Sequence, residues 1–189
     1  MRESVEKQVR AWLERFVVGL NLCPFAMPFV LPGQLGADRL RITVCMGEGP
    51  EALRSAFLQE LDLLQSSSEQ EIATTLLVFP TALASFDDYL DYVDDAQALL
   101  AQVGLEGLLQ LASFHPDYQF EGEPEGAASH FSNRAPYPIV HFLREDMMER
   151  VLQDFPNPEN IPAQNIATLE DIGSAELKLR WQQLFDLSQ

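Results

Sequence analysis

The sequence predicts an α/β fold. One domain spans residues 1–189, with a mixed sheet of about four strands, crossover helices between them, and a further helix at each terminus. Three observations carry this reading. Short apolar or alternating runs at 40–46, 74–79, 107–114 and 139–143 have the length and composition of strands. Amphipathic stretches of helical period separate the first three, and strand–helix alternation favours parallel crossover units layered on a sheet. The length also suits one core: 189 residues, 47% of them hydrophobic, are enough for one sizeable interior and few for two.

Each element has its own signal, in chain order. Val5, Val9, Trp12, Leu13, Phe16, Val17 and Leu20 share one face of a helix over residues 4–20. Ser4 is placed to cap its start. Asn21 and Pro24 end it, because the residue before a proline avoids helical dihedrals. Residues 25–38, with Pro28, Pro32, Gly33 and Gly36, read as a loop packed on the body. At 40–46, Leu40, Ile42, Val44 and Met46 alternate with Arg41, Thr43 and Cys45, so the second set is expected on the more exposed face. Pro50 opens a helix bearing Leu53, Phe57, Leu61 and Leu64, ended by Ser66, Ser67 and Ser68. Residues 74–79 form a continuous apolar run, expected as a more central strand. Ser85 and Asp88 mark a capped helix start, and Phe86, Leu90, Val93, Leu100 and Val103 form its expected inner face up to Gly104. A third strand comes next, at 107–114.

Residues 115–138 are rich in Pro, Gly and polar residues, and an irregular segment of that length is usually functional or disordered. Tyr118, Phe120, Phe131 and Tyr137 argue for order near its ends, with 121–128 as a flap between them. The fourth strand at 139–143 leads into a helix from Glu145 to about Gln153. A Pro/Asn-rich linker is expected at 156–165, then a final helix capped by Ser174 and burying Leu177, Trp181, Leu184 and Phe185.

Charge narrows the function classes. Acidic residues number 29 against 12 basic ones, a formal net charge of −17. Such a field repels phosphate backbones and anionic membrane surfaces, so no nucleic-acid or membrane partner is expected. The N-terminus lacks the apolar run of a signal peptide, and no stretch of eighteen apolar residues occurs. Cys23 and Cys45 are too few for a disulfide framework, so a reduced, cytoplasmic protein is expected. Phosphate-loop, dinucleotide and nucleophile-elbow motifs are all missing, which leaves the cofactor unknown. The acids at Asp87, Asp88, Asp91, Asp94 and Asp95 read as a solvated helix face.

Only three basic side chains occur between residues 55 and 177: Arg134, Arg144 and Arg150. Arg134 and Arg144 flank His141, and the loop before them begins at His115. Guanidinium is a bidentate partner for carboxylate or phosphate. The candidate site is therefore an Arg/His pocket for an anionic small molecule, at the carboxyl end of the third strand. Arg134 and Arg144 would hold the anion, with Asn133, Tyr118 and Tyr137 completing the ligand set. His115 and His141 would exchange protons. Ordinary Arg–carboxylate pairing and strand-end capping by His115 are the competing readings. His141 interrupts an apolar strand, so it is either a satisfied core residue or a pocket-facing one. His130 is expected to be solvated. Cys23 is a candidate nucleophile if a histidine lies beside it, and otherwise a buried apolar residue. The cysteine and histidine spacings do not support a metal site.

Three stretches are familiar together: Asn21-Leu22-Cys23-Pro24-Phe25-Ala26, Ser113-Phe114-His115-Pro116-Asp117-Tyr118-Gln119-Phe120, and Asn133-Arg134-Ala135-Pro136-Tyr137-Pro138 followed by His141 and Leu143-Arg144-Glu145. With them the chain resembles a bacterial family catalogued as domain of unknown function 1415, over nearly its whole length. The resemblance implies one complete domain and brings no assigned activity, cofactor or catalytic residue. The leading functional expectation is a small soluble enzyme acting on an anionic small molecule. The alternatives are a non-catalytic ligand-binding or regulatory module, and an acidic protein-interaction domain.

Overall fold

A computed structural model gives the fold and describes residues 1–34 and 36–186. Its strands are β1 (Leu40–Val44), β2 (Thr74–Val78), β3 (Leu109–Phe114) and β4 (Ile139–Arg144). They form one mixed sheet in the order β1-β2-β4-β3. β1 and β2 are parallel, whereas β4 runs antiparallel to both β2 and β3. The last strand in sequence thus fills the slot between the second and the third. The helices are α1 (Arg2–Trp12), continued by a π-helical segment (Leu13–Val18), then α2 (Met27–Val30), α3 (Pro50–Ser66), α4 (Phe86–Gln102), α5 (Glu145–Gln153), α6 (Ile161–Ile172) and α7 (Ser174–Gln182). The α/β class, the four strands and the crossover helices α3 and α4 are as expected.

Each face of the sheet has its own core. On one, Val44, Leu76, Val78 and Ile139 meet Val9, Trp12 and Phe16 of the first helix, with Leu169 and Leu177 from α6 and α7. On the other, Leu77, Val140 and Phe142 meet Phe57, Leu61 and Leu64 of α3 and Tyr89 and Leu100 of α4. The terminal signals act as their chemistry dictates. Asn21 takes φ +53° and Gly104 φ +73° just past their helices, and the Ser85 hydroxyl accepts the Asp88 N–H at 3.4 Å.

Several expectations need correction. Alternation placed the two faces of β1 correctly, but the Arg41 face is only partly solvated. Cys45 is buried against the α3 side, and Arg41 reaches the buried Glu60 with Nε 2.7 Å and Nη2 3.0 Å from its oxygens. Helices cover both faces, so alternation here marks the edge of a sandwiched sheet. In α4, Leu90 and Val103 are exposed, and Tyr89, Ala96, Leu99 and Leu100 form the buried stripe. Residues 161–165 belong to α6 and not to a linker: Pro162 sits in the first turn, where its missing N–H costs nothing. The last helix begins at Ser174 behind Gly173 and ends before the buried Leu184.

The buried Tyr89 ties the layers together. Its hydroxyl donates to the Ile139 carbonyl at 2.7 Å and accepts the Phe114 N–H at 2.9 Å, bridging α4 to the facing ends of β4 and β3. Tyr89→Phe removes both bonds and leaves two backbone groups without this partner. The expected loss is about 1–3 kcal/mol in urea unfolding. An unchanged midpoint would show that this bridge contributes nothing.

Candidate functional site

A cavity of about 650 Å³ opens over the α1 face of the sheet. Its floor is the sheet itself, through Thr74, Leu76, Ala112, Phe114 and His141. The first helix contributes Trp12, Leu13 and Val17, and the turn after it contributes Leu22, Cys23 and Phe25. Phe120, Ser129 and Asn133 come from the 115–138 segment, and α5 and α6 close the remaining side with Met147, Met148 and Asn165. The wall is overwhelmingly apolar and contains no arginine or lysine among the described residues.

His141 is the polar feature of the floor. Its Nε2 lies 2.5 Å from Thr74 Oγ1, and that same hydroxyl is 2.8 Å from the Phe142 carbonyl. A carbonyl cannot donate, so the single hydroxyl hydrogen goes to Phe142. Thr74 Oγ1 must then accept, which puts the imidazole hydrogen on Nε2. Nδ1 is left with a lone pair and no hydrogen-bond partner among the described residues. Burial in an apolar surround pushes His141 down to about 4, so the ring is neutral at physiological pH.

Cys23 shares the cavity. Burial raises its thiol, although the Phe25 and Ala26 amides act in the opposite sense, so it is held as the thiol. Asn133 is there too, but its side chain is engaged: Nδ2 donates to the Ser113 carbonyl at 3.0 Å, and Oδ1 accepts from Ser132 Oγ at 3.0 Å. Thr74 and Ser129 are among the polar lining residues that sequence reasoning missed, with Glu121, Glu123, Ser132 and Asn165. A threonine opening an otherwise apolar strand is a weak signal for Thr74. Nothing in the sequence marks Ser129.

The other candidates do not converge with His141. His115 is fully buried against Phe86 and Tyr89, on the α4 side. Its Nδ1 accepts the Asp117 N–H at 3.0 Å, so Nε2–H donates to the Leu83 carbonyl at 3.0 Å. Both nitrogens serve the backbone. Arg134 lies over the Phe131 ring, 5.0 Å from its centroid, and donates to the Tyr118 carbonyl at 3.2 Å. Arg144 is at the opposite end of the sheet from His115, since Leu109 pairs with Arg144 whereas Phe114 pairs with Ile139. It clamps the end of α3, donating to the carbonyls of Leu64, Ser67 and Ile72 at 2.9–3.0 Å. Tyr118 packs between Phe86 and Phe120 and meets Ser113 Oγ at 3.3 Å. Tyr137 donates to Gln8 Oε1 and packs on Phe185. The expected four-residue Arg/His pocket therefore does not form: His141 lies on the cavity floor, while His115, Arg134 and Arg144 bond backbone carbonyls and are not among the lining residues. His130 is also corrected. It is buried, accepting from Phe120 N at 3.2 Å and donating to the Pro124 carbonyl at 2.9 Å, which folds 120–130 back on itself.

A mixed four-stranded α/β domain with an apolar cavity on one sheet face is the class of protein that the fold and site define. More particularly, the chain belongs to the family described as protein of unknown function (DUF1415), whose sequence model matches residues 4–179. Neither the curated proteins nor the solved structures contain a match.

Two outcomes test these assignments. An unfolded imidazole takes up its proton as pH falls through about 6.5, and the folded His141 only near 4. The stability associated with the neutral ring is thus full above pH 6.5 and lost towards pH 4, up to roughly 3 kcal/mol. His141→Gln should flatten the fall in urea midpoint between pH 7 and pH 4.5, and identical slopes would refute the buried neutral ring. Arg144→Met should cost about 2–3 kcal/mol, because three carbonyls lose a charged donor, while added phosphate leaves the wild-type melting temperature unchanged. A phosphate-dependent rise that Arg144→Met abolishes would restore Arg144 as an anion ligand.

Proposed function

We propose that this protein binds a predominantly apolar small molecule in the cavity over the sheet, as a ligand-binding module. One observation carries the reading: a cavity of about 650 Å³ with apolar walls holds a neutral, half-engaged imidazole on its floor. That volume falls within the range of small-molecule sites, which combine apolar walls with few placed polar groups. The same imidazole argues against proton transfer as the main task. A base whose conjugate acid titrates near 4 is poorly matched to abstracting protons near neutrality. Cys23 has its thiol stabilised by burial and makes a weak nucleophile. An anionic ligand would find no guanidinium or ammonium among the described residues of the wall. Both cysteines are free, which fits the reduced, cytoplasmic setting we also propose.

Fluorescence titration with pyrene, an uncharged apolar probe, tests the reading. The wild-type protein should bind it saturably with one site. Ala112 lines the floor directly beside its strand partner His141, so Ala112→Phe should fill the cavity and weaken binding at least roughly tenfold without loss of far-UV dichroism. Absence of saturable binding to the wild type, or equal binding by a folded Ala112→Phe, would sink the proposal.

A further inference from the structure

We infer that the ligand of this cavity is an aromatic compound carrying a neutral hydroxyl group, and that carboxylates are excluded. The inference rests on the cavity being a ligand site. Two of the polar residues in its wall, His141 and Ser129, each carry a side-chain atom without a hydrogen-bond partner among the described residues, and their chemistry is specific. His141 Nδ1 is an acceptor only, because the Thr74 hydroxyl hydrogen is committed to Phe142 and the imidazole hydrogen to Thr74. Ser129 is 5% exposed, and its Oγ is the second such group. A buried hydroxyl left in that state costs more than the bond it forgoes, so a complementary occupant is favoured twice over. Ser129 can both donate and accept.

The possible head groups sort against this pair. A carboxylate brings only acceptors, so it meets the Nδ1 lone pair without a hydrogen between them. It also meets Glu121 and Glu123, which line the same cavity, with no cation among the described lining residues to offset them. An ammonium on the floor would be desolvated beside a neutral imidazole with no counter-charge there. An indole-type N–H could donate to Nδ1, yet it has no lone pair for Ser129. A neutral hydroxyl gives its hydrogen to Nδ1, and it accepts from Ser129 once that side chain, whose Oγ has no surface open to the cavity, turns toward it. The body of the ligand is read from the walls: Trp12, Phe25, Phe29, Phe114 and Phe120 all line the cavity, and aromatic rings pack on one another in edge or offset geometry.

A matched series of pyrene, 1-hydroxypyrene and 1-pyrenecarboxylate, titrated by fluorescence into the full chain at pH 6, separates the alternatives. 1-Hydroxypyrene should bind roughly tenfold more tightly than pyrene, the effect of one buried hydrogen bond made to an otherwise unpaired group. 1-Pyrenecarboxylate should bind at least about tenfold more weakly than pyrene. His141→Leu should abolish the preference, so that the variant binds 1-hydroxypyrene no more tightly than it binds pyrene. Ser129→Ala, a smaller change at a separate point of the wall, should reduce the preference for the hydroxyl roughly threefold. Equal binding of pyrene and 1-hydroxypyrene, a preference unaffected by both substitutions, or tightest binding of the carboxylate overturns the hydroxyl inference and leaves the cavity as an apolar site. Failure of all three probes removes the cavity reading, and this inference with it.

Discussion

The constraint on which the structure depends is the slot between β2 and β3. Those strands run in the same direction but do not touch, and β4 enters antiparallel to bond both. Phe114 and Ile139 are paired across that ladder, so a two-residue turn would have sufficed to join the strands. Instead the chain travels through 115–138, and that detour supplies a wall of the cavity. A strand in such a slot is covered on both faces, which explains why β4 is apolar apart from His141 and its terminal Arg144. The single imidazole in that strand is therefore carried onto the cavity floor by the register with Leu76 and Ala112.

The protein has few cationic or imidazole donors, and it uses most of the candidates among them on its own main chain. Arg144 gathers the carbonyls at the end of α3, Arg134 holds Tyr118, His115 holds Leu83, and His130 holds Pro124. A loop of this length must satisfy its backbone somewhere. Long side chains and imidazoles do so here in place of a regular ladder. The acidic excess is left to solvent, with Glu60 the buried exception, matched bidentately by Arg41.

This division of labour explains which features were legible. Strands and helices announce themselves by periodicity, so the four strands, the Ser85 cap and the stops at Asn21 and Gly104 could all be read. Pro162 was read as a linker because a proline opening a helix and one excluding it look alike without neighbours. His141 and Cys23 were recognised as candidates, because a polar residue in an apolar strand and a thiol beside a helix break are visible anomalies. The expected partnership of His115, Arg134 and Arg144 failed for a specific reason. Their acceptors are backbone carbonyls, which every residue carries and no sequence displays. Ser129 was invisible because its significance lies in a bond it does not make.

The π-helical turn at Leu13–Val18 has a consequence for how this sequence can change over evolutionary time. Its wider winding is expressed in bonds that skip five residues, from Gly19 N to Glu14 O and from Leu22 N to Val17 O. Such a turn accommodates one residue more than an α-helix of the same length. Excising a single residue within 13–18 would restore ordinary α-helical winding over the same length, and the chain after it would keep its direction. Leu22 and Cys23 would then stay at the cavity wall, with Val5, Val9 and Trp12 still seated in the core. Loss of one residue is therefore absorbed here, whereas in the α-helical turns before it the same loss would rotate everything downstream by about 100°.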